Sequence, residues 1–489
     1  MPTPSSPSES APSESAPSES VAPQASRRHL EFHGGLIGAL APFVCFLTGV
    51  GALALHGAPD EKGFWPVLLA ALTLGLLLAR DREHYADAML DGMSQRVVMV
   101  MLCAWLFAGV LGAVLNAAGF VASLAWLARA THLTDGGFVA AAFLACVVVS
   151  TATGTSFGTI LLCGPLLYPA GGGAGAPPAA LMGAILAGAT FGDSISPVSD
   201  TTIASSGSQH VDIGGTVRSR LRYVIPAGLL ALVASTLLGS RDTLPSATAA
   251  TTALALAPAH ASALLLLLSP ALVIGLLLAK RHLIEALLLG IASATVIALL
   301  LGLITPHDLL HIAPGTFGAT GIVLDGMQRA VGVSVFTLLL VALVGTLQAT
   351  DVLDRLVHAA NGRATTPRAA ETWIVAVVSG AVLLTTHSVV AILAVGEFAR
   401  HTGERFSISG YRRANLLDMT VCTWPFLAPY FLPTILASSA SQSGVAYGMP
   451  ALSAGVIGLH NTYAWALVLA VVLAVTTGYG RDKRRVVRE

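Results

Sequence analysis

The stretch GATFGDSISPVSDTTIASS, residues 188–206, places two aspartates, a proline and a run of hydroxyl side chains inside a strongly apolar chain. In a lipid environment each unpaired polar group costs on the order of several kcal/mol, because no water is present to hydrogen-bond it. The stretch therefore needs partners from the protein or from a bound ion, and it points to a buried polar site in a membrane protein.

The rest of the chain has the composition of a membrane protein. Of its 489 residues, 54% are hydrophobic and 11% are charged, and long apolar runs recur from residue 36 to residue 478. About 20 consecutive apolar residues cross a bilayer as a helix, and these runs are continuous rather than alternating as membrane strands are. The pattern predicts an all-α polytopic membrane protein.

The two ends of the chain differ from its middle. The segment SESAPSESAPSESV, residues 8–21, repeats itself and lacks residues that form a core, so residues 1–30 are predicted to be a disordered N-terminal tail. Residues 481–489 are rich in arginine and lysine and are predicted to be a basic cytoplasmic tail.

The order of polar and apolar segments occurs twice. Residues 138–170 and 371–400 each consist of two apolar arms of about a dozen residues around a polar centre, and such arms are too short to span a bilayer. The first hairpin precedes residues 188–206. The second precedes NLLDMTVCTWPFLAPYFLPTILASS, residues 415–439, which is apolar but carries Asp418 and prolines.

The segments that lead into the third apolar run of each half also match. The tripeptide Asp-Gly-Met stands at residues 91–93 and again at 325–327. A shared tripeptide is weak by itself, but a shared order of six elements is not. We therefore predict two repeats, residues 31–245 and 246–480, each with one hairpin and one broken helix.

Basic residues set the predicted orientation. If the loops that carry arginine face the cytoplasm, both termini are cytoplasmic, and each hairpin re-enters and returns to its starting side. Each half then has about five transmembrane helices, one of them broken, and one re-entrant hairpin. Because five is odd, the halves have inverted topology, which is typical of secondary transporters whose sites lie at the repeat interface.

The broken segment of the first half offers oxygen ligands. Asp193 and Asp200 flank Pro197, and Ser196 and Thr201 lie beside them. Proline frees backbone carbonyls in the preceding turn, and carbonyl, hydroxyl and carboxylate oxygens are the ligands that a small hard cation prefers. Burial disfavours the charged carboxylate, so that a proton and a cation compete for it. We expect Asp193 to matter more than Asp200, since it lies deeper.

The hairpin tips and the second broken segment add polar groups. These candidates are Thr155 and Ser156 in the first tip, Thr386, His387 and Ser388 in the second tip, and Asp418 and Thr423 in the second broken segment. Other roles stay open for some of them. Asp200 could cap a helix, Asp418 could pair with Arg413 at the membrane interface, and His387 could serve only as a structural hydrogen-bonding residue.

Three motifs resemble those of the NhaC-type Na+/H+ antiporter family, a branch of the ion-transporter superfamily. The sequence GDSISPVSDTT, residues 192–202, is similar to the family signature, and residues 151–159 and 415–430 are similar to its first hairpin and second broken segment. The resemblance implies two inverted repeats and a frequent homodimer. It also implies that Asp193, Ser196, Asp200 and Thr201 line the cation site, with Na+ held by the first three, and that Asp418 faces them.

These observations predict a secondary transporter, not an enzyme, in a bacterial inner membrane. It would exchange Na+ or Li+ for H+ by alternating access, with the lipid bilayer and small cations as partners. No cofactor beyond the transported Na+ and H+, and no nucleic acid, is expected.

Two other functions fit parts of the sequence pattern. The first is a Na+- or H+-coupled exchanger of small carboxylates such as malate and lactate, which the sequence disfavours because it places no Lys or Arg inside a predicted span. The second is an intramembrane hydrolase with Ser156 or Ser388 as nucleophile and His387 as base. It is disfavoured because the polar features are duplicated between the halves, which suits alternating access and not one catalytic centre.

Overall fold

The computed structural model describes residues 29–55, 61–241, 261–279, 281–312 and 318–481, and almost all of them are helical. The predicted all-α architecture is confirmed, with one two-stranded ribbon of β1 His311–Ile312 and β2 Ala319–Thr320 as an addition. The predicted N-terminal tail lies outside the described residues except for residues 29 and 30, and the basic tail lies outside them except for residue 481.

The helices of the first half follow one another with short connections. They are α1 Leu36–Leu55, α2 Trp65–Leu78, α3 Arg82–Met93, α4 Arg96–Ala117, α5 Phe120–Ala130, α6 Asp135–Thr153, α7 Ser156–Gly173, α8 Pro178–Ile195, α9 Asp200–Ser208 and α10 Ile213–Arg241.

The helices of the second half continue in a similar order. They are α11 Leu268–Leu278, α12 Leu283–Leu300, α13 Pro306–Leu309, α14 Ile322–Gln348, α15 Val352–Ala360, α16 Pro367–Thr385, α17 Ser388–Arg405, α18 Gly410–Val421, α19 Leu432–Ser441, α20 Ala454–Leu459 and α21 Thr462–Thr477. Four 3-10 segments accompany the described helices, at Glu61–Phe64, Ala261–Leu267, Trp424–Phe426 and Gln442–Tyr447.

Three features of each half correspond in position. A helical hairpin (α6–α7 and α16–α17) is followed by an interrupted helix (α8–α9 and α18–α19), and a short helix (α5 and α15) precedes each hairpin. The interruption covers residues 196–199 in the first half and residues 422–431 in the second. The inverted orientation of the halves and the cytoplasmic position of the termini stay predictions.

The hairpin arms are longer than the sequence suggested. Helices α6 and α16 each have 19 residues and α7 and α17 each have 18. By length and composition α6 and α16 are among eight described helical segments that are able to cross a membrane. The expectation that no arm is long enough to span is therefore wrong. Counting only apolar residues leaves out the polar first turns of these helices, which begin at Asp135 and Pro367. Re-entry of the hairpins stays a prediction.

Helix α14 joins the two halves through glycine contacts. It packs against α3 and α4, and a Cβ atom at Gly326 would lie 2.6 Å from the Val110 Cα, while one at Gly92 would lie 2.4 Å from the Val341 carbonyl oxygen. Gly92 and Gly326 are the glycines of the repeated Asp-Gly-Met tripeptide. The repeated tripeptide therefore marks two places where helix backbones approach closely, as small residues permit in membrane proteins.

The Gly326→Ala variant is expected to lower stability by about 1–3 kcal/mol, because the added methyl group overlaps the α4 backbone. The measurement is the thermal unfolding midpoint of the detergent-purified protein. Gly275→Ala in α11 is the matched control, since a Cβ atom there meets nothing within 4 Å. An equal effect of both substitutions would contradict the assigned helix contact.

Candidate functional site

A cavity of about 280 Å³ lies between the two halves and is lined by both hairpin tips and both helix interruptions. Its polar lining residues are Thr153, Thr155, Ser156, Asp193, Ser199, Asp200, Thr201, Thr386, His387 and Ser388. The structure therefore brings together most of the candidate residues. Ser196, Asp418 and Thr423 are buried nearby but do not line the cavity.

The first hairpin tip holds the interruption of α8 and α9. Helix α8 ends at Ile195, ahead of Pro197, and the Ser196 Oγ donates a hydrogen bond of 2.9 Å to the Thr151 carbonyl oxygen. The backbone N–H of Ser156, the first residue of α7, donates to the Asp193 Oδ2 at 3.3 Å. Because the amino end of a helix carries partial positive charge, this contact favours an ionised Asp193.

The second tip has the same local geometry. The Thr153 Oγ1 donates to the Thr155 carbonyl oxygen at 3.4 Å, and the Thr385 Oγ1 donates to the His387 carbonyl oxygen at 3.3 Å. The Ser388 Oγ donates to the Val421 carbonyl oxygen at 3.1 Å, so this tip also holds the end of the interrupted helix in its half. Each half thus ties a hairpin tip to a helix interruption through hydrogen bonds.

One backbone position distinguishes the two tips. Gly154 ends α6 with a φ of 67°, a left-handed conformation that glycine adopts easily. Thr386 takes the corresponding place at the end of α16 with a φ of 53°. A β-branched residue is strained in this region by about 1–3 kcal/mol, and such strain is common at binding sites.

Two oxygen atoms at the first tip are left without partners. Within the part of the chain that the structure describes, the buried Asp193 Oδ1 and Ser156 Oγ make no hydrogen bond. Buried polar atoms are nearly always satisfied in folded proteins, so each such exception calls for an explanation. Both residues line the cavity, and their free oxygens are of the chemical type that Na+ and Li+ bind.

Asp200 has a different environment from Asp193. It is exposed to the cavity as the first residue of α9, after the N-cap residue Ser199. Next to it, the Thr201 Oγ1 lies 3.1 Å from the Ser199 Oγ. The interpretation of Asp200 as the helix cap is thus wrong, because the N-cap is the preceding residue, Ser199. A carboxylate in the first turn still stabilises the helix.

Asp418 is paired with Arg220, an arginine of α10. The Arg220 Nη2 lies 2.9 Å from the Asp418 Oδ2, and neither side chain is exposed. Asp418 also accepts a hydrogen bond from Ser205 at 3.3 Å. Its charge is therefore compensated inside the protein and it does not line the cavity, while its facing of the cation site stays a prediction.

Arg220 connects three segments of the site. Its Nη1 donates to the Ser194 carbonyl oxygen at 3.1 Å and to the Thr202 Oγ1 at 2.8 Å, while its Nε donates to the Asn415 Oδ1 at 3.1 Å. The expectation that no Lys or Arg lies inside a span is thus wrong, since α10 begins at Ile213 and includes Arg220. The missed signal is the spacing of three arginines: Arg218 and Arg222, four residues apart, share one face of a helix, and Arg220 lies on the opposite face.

The alternative partner of Asp418 is engaged elsewhere. Arg413 is buried, its Nε donates to the Gln209 Oε1 at 2.9 Å, and its Nη1 donates to the Ile408 carbonyl oxygen at 2.8 Å. The proposed pairing of Asp418 with Arg413 at the membrane interface is therefore wrong.

The polar groups do not form a nucleophile–base pair. In the described ranges no hydrogen bond joins His387 to Ser156 or to Ser388, and the His387 Nδ1 has no partner. Nor does that part of the chain contain a group of three or more His, Cys, Asp or Glu side chains that could together hold a metal ion. An ion at the first tip would therefore depend on one carboxylate together with hydroxyl and carbonyl oxygens.

The sequence model of the Na+/H+ antiporter family matches residues 37–237, which include the first hairpin, the first interruption and Arg220. Two proteins named as the Na+/H+ antiporter NhaC are also similar. The first half of the chain is thus similar to Na+/H+ antiporters of the NhaC type.

Other curated relatives carry names that state different activities. The malate-2H+/Na+-lactate antiporter of Bacillus subtilis is 31% identical over 37% of this chain and 38% of its own, and NhaC of Alkalihalophilus pseudofirmus is 30% identical over 47% and 50%. The arginine/ornithine antiporter ArcD of Halobacterium salinarum is 25% identical over 85% and 86%. The chain thus spans half or less of the length of the first two relatives.

A solved structure is also similar to this chain. The YdaH transporter of Alcanivorax borkumensis aligns with 83% of this chain and 91% of its own, at 16% identity and a TM-score of 0.40. A likeness at that level supports no conclusion about mechanism.

Replacing Arg220 by Gln is expected to destabilise the protein by about 3–5 kcal/mol, because it leaves the buried Asp418 carboxylate uncompensated. The Arg220→Gln/Asp418→Asn double variant is expected to recover most of this loss, since both charges are then removed. Thermal unfolding in detergent measures both effects.

The control is an exposed ion pair of the same type. Arg355 and Asp351 lie 2.7 Å apart but are 59% and 43% exposed, so Arg355→Gln is expected to change stability by about 0.5 kcal/mol or less. If the double variant is as unstable as Arg220→Gln alone, loss of the ion pair does not account for the destabilisation by Arg220→Gln.

Proposed function

We propose that this protein is a secondary transporter that exchanges Na+ or Li+ for H+, with Asp193 as the group that binds either the cation or the proton. The observation that carries this proposal is the pair of unpartnered oxygens, Asp193 Oδ1 and Ser156 Oγ, at the wall of the central cavity. The similarity of residues 37–237 to the Na+/H+ antiporter family supports the same exchange.

The competition at Asp193 follows from its burial. A lone negative charge in a low-dielectric interior is unfavourable, so the carboxylate is stable when a proton or a cation neutralises it. The Ser156 backbone N–H holds Oδ2 in place, while Oδ1 and the Ser156 hydroxyl stay free for the ion. One ion therefore displaces the other, which is the requirement for exchange.

Asp418 has a supporting role in this proposal. Because Arg220 compensates its charge permanently, it neither binds the cation nor carries the proton. The pair instead fixes the ends of α8 and α9 against α18 through Ser194, Thr202 and Asn415. Asp418 is thereby reassigned from ligand to positioning residue.

The contacts of the hairpin tips suit alternating access. Each hairpin tip is bonded to the interruption of its own half, so each pair can move as a unit relative to the rest.

The proposal also includes inverted repeats, cytoplasmic termini, a bacterial inner membrane and a homodimer. The distribution of basic residues and the similarity to the antiporter family support these parts.

A second candidate, the exchange of small carboxylates, is supported by the cavity itself. Its volume of about 280 Å³ far exceeds that of one dehydrated cation, since a water molecule takes about 30 Å³ in the liquid. The amino ends of α7, α9, α17 and α19 line it, and helix amino ends favour anions. A relative named as a malate/lactate antiporter points to the same class of substrate.

In proteoliposomes with an imposed pH gradient, Na+ or Li+ is expected to drive proton movement by the wild-type protein. The Asp193→Asn variant is expected to reduce this flux to the level of protein-free liposomes, because an amide binds neither ion by charge. Asp200→Asn is expected to retain part of the flux, since Asp200 is exposed at the amino end of α9.

The matched control is Asp91→Asn, which alters an exposed carboxylate of α3 that does not line the cavity and should transport normally. Normal flux through Asp193→Asn would overturn the site. Proton movement driven by malate or lactate, and not by Na+ or Li+, would replace the leading candidate by the second one.

A further inference from the structure

An open groove of about 430 Å³ lies on the outer surface, between α10 and α21, away from the central cavity. Its lining residues are Arg222, Tyr223, Pro226, Ala227 and Leu230 from α10, Ala466, Leu469, Ala470, Leu473, Ala474 and Thr477 from α21, and Tyr479. Most of this lining is aliphatic, and much of it consists of small side chains that leave space between the two helices.

One end of the groove is polar and basic. Arg222 is exposed there, its guanidinium carbon lies 5.5 Å from the centre of the Tyr223 ring, and its Nε donates to the Ser219 carbonyl oxygen at 2.8 Å. The Tyr223 and Tyr479 rings meet edge-on with their centres 5.8 Å apart. Tyrosine and arginine at one end of an apolar surface are typical of the membrane–water interface.

Behind the tyrosines lies a buried ionic network. The Arg412 Nη1 donates to the Tyr223 hydroxyl at 2.8 Å, and Arg412 and Arg481 both bind the Glu371 carboxylate, at 2.9 and 2.6 Å from its Oε2. Three guanidinium groups thus lie at or behind this end of the groove, with one carboxylate: Arg222 lines the groove, and Arg412 and Arg481 lie behind the tyrosines with Glu371. The local charge is positive and complements an anionic group.

We propose that this groove binds an anionic phospholipid, with an acyl chain along α10 and α21 and the phosphate at Arg222. An apolar channel that ends in a basic, tyrosine-rich mouth matches the two parts of such a lipid. A zwitterionic phospholipid matches only the apolar part of the groove, since the cationic group of its head is repelled by the positive charge at the basic end. The inference is independent of which ion the central cavity carries.

Lipid binding here has a structural consequence. Tyr223 receives the hydrogen bond of Arg412, and Arg412 anchors Glu371 near the start of α16, which is an arm of the second hairpin. A lipid that fixes the two tyrosines therefore holds the base of that hairpin. Binding should raise the unfolding temperature of the protein in a headgroup-dependent way.

Native mass spectrometry of the detergent-purified protein tests the proposal, with phosphatidylglycerol and phosphatidylcholine of the same acyl chains as probes. The wild-type protein is expected to retain phosphatidylglycerol preferentially and to unfold at a higher temperature in its presence. Arg222→Gln is expected to weaken phosphatidylglycerol retention about fivefold, because the contact with the phosphate is lost. It should not affect phosphatidylcholine.

Filling the groove provides a second test. Ala470→Phe places a ring in the groove and is expected to abolish retention of the lipid, whereas Val472→Phe on an exposed face of the same helix is the control and should retain it. Equal retention of both lipids, an unchanged Arg222→Gln variant, or equal effects of the two phenylalanine substitutions would each overturn the proposal.

Discussion

The interruption of a helix inside an apolar protein releases polar groups that must find partners away from water. Both interruptions meet this requirement in part through a serine hydroxyl that joins them to a hairpin. Ser196 of the first interruption donates to the Thr151 carbonyl oxygen, and Ser388 of the second tip donates to the Val421 carbonyl oxygen. They differ at the carboxylate. Asp418 is compensated by Arg220, while Asp193 keeps one oxygen free beside a cavity. This difference is the basis of the proposal that one half holds the exchange site and the other half supports it.

The sequence predicted the architecture of the site better than the lengths of its helices. The polar centres of two apolar segments located both hairpin tips, and Pro197 located the first interruption to within a residue or two. These features could be predicted because proline and clustered hydroxyl groups have local effects on a membrane helix. The lengths of the hairpin arms could not be predicted in this way, since α6 and α16 begin with polar first turns that lie outside the apolar runs.

The partner of Asp418 could not be predicted from the sequence. Arg220 is separated from Asp418 by almost two hundred residues and stands between two other arginines, so the sequence groups it with the loops that carry arginine. Its burial depends on α10 beginning at Ile213, before the apolar run, and on the packing of α10 against α8, α9 and α18. A contact between distant segments of this kind follows from the tertiary structure alone. Sequence spacing shows only that Arg220 lies on the helix face opposite to Arg218 and Arg222.

The assignment of a single carboxylate to the exchange predicts a simple coupling, in which each bound cation releases the proton of Asp193. The most direct measurement is proton release by the detergent-solubilised protein in weakly buffered solution upon addition of Na+ or Li+, followed with a pH indicator. The account predicts release from the wild-type protein and from the Asp91→Asn control, and none from Asp193→Asn. Undiminished release from Asp193→Asn would contradict it, because the proton would then come from another group.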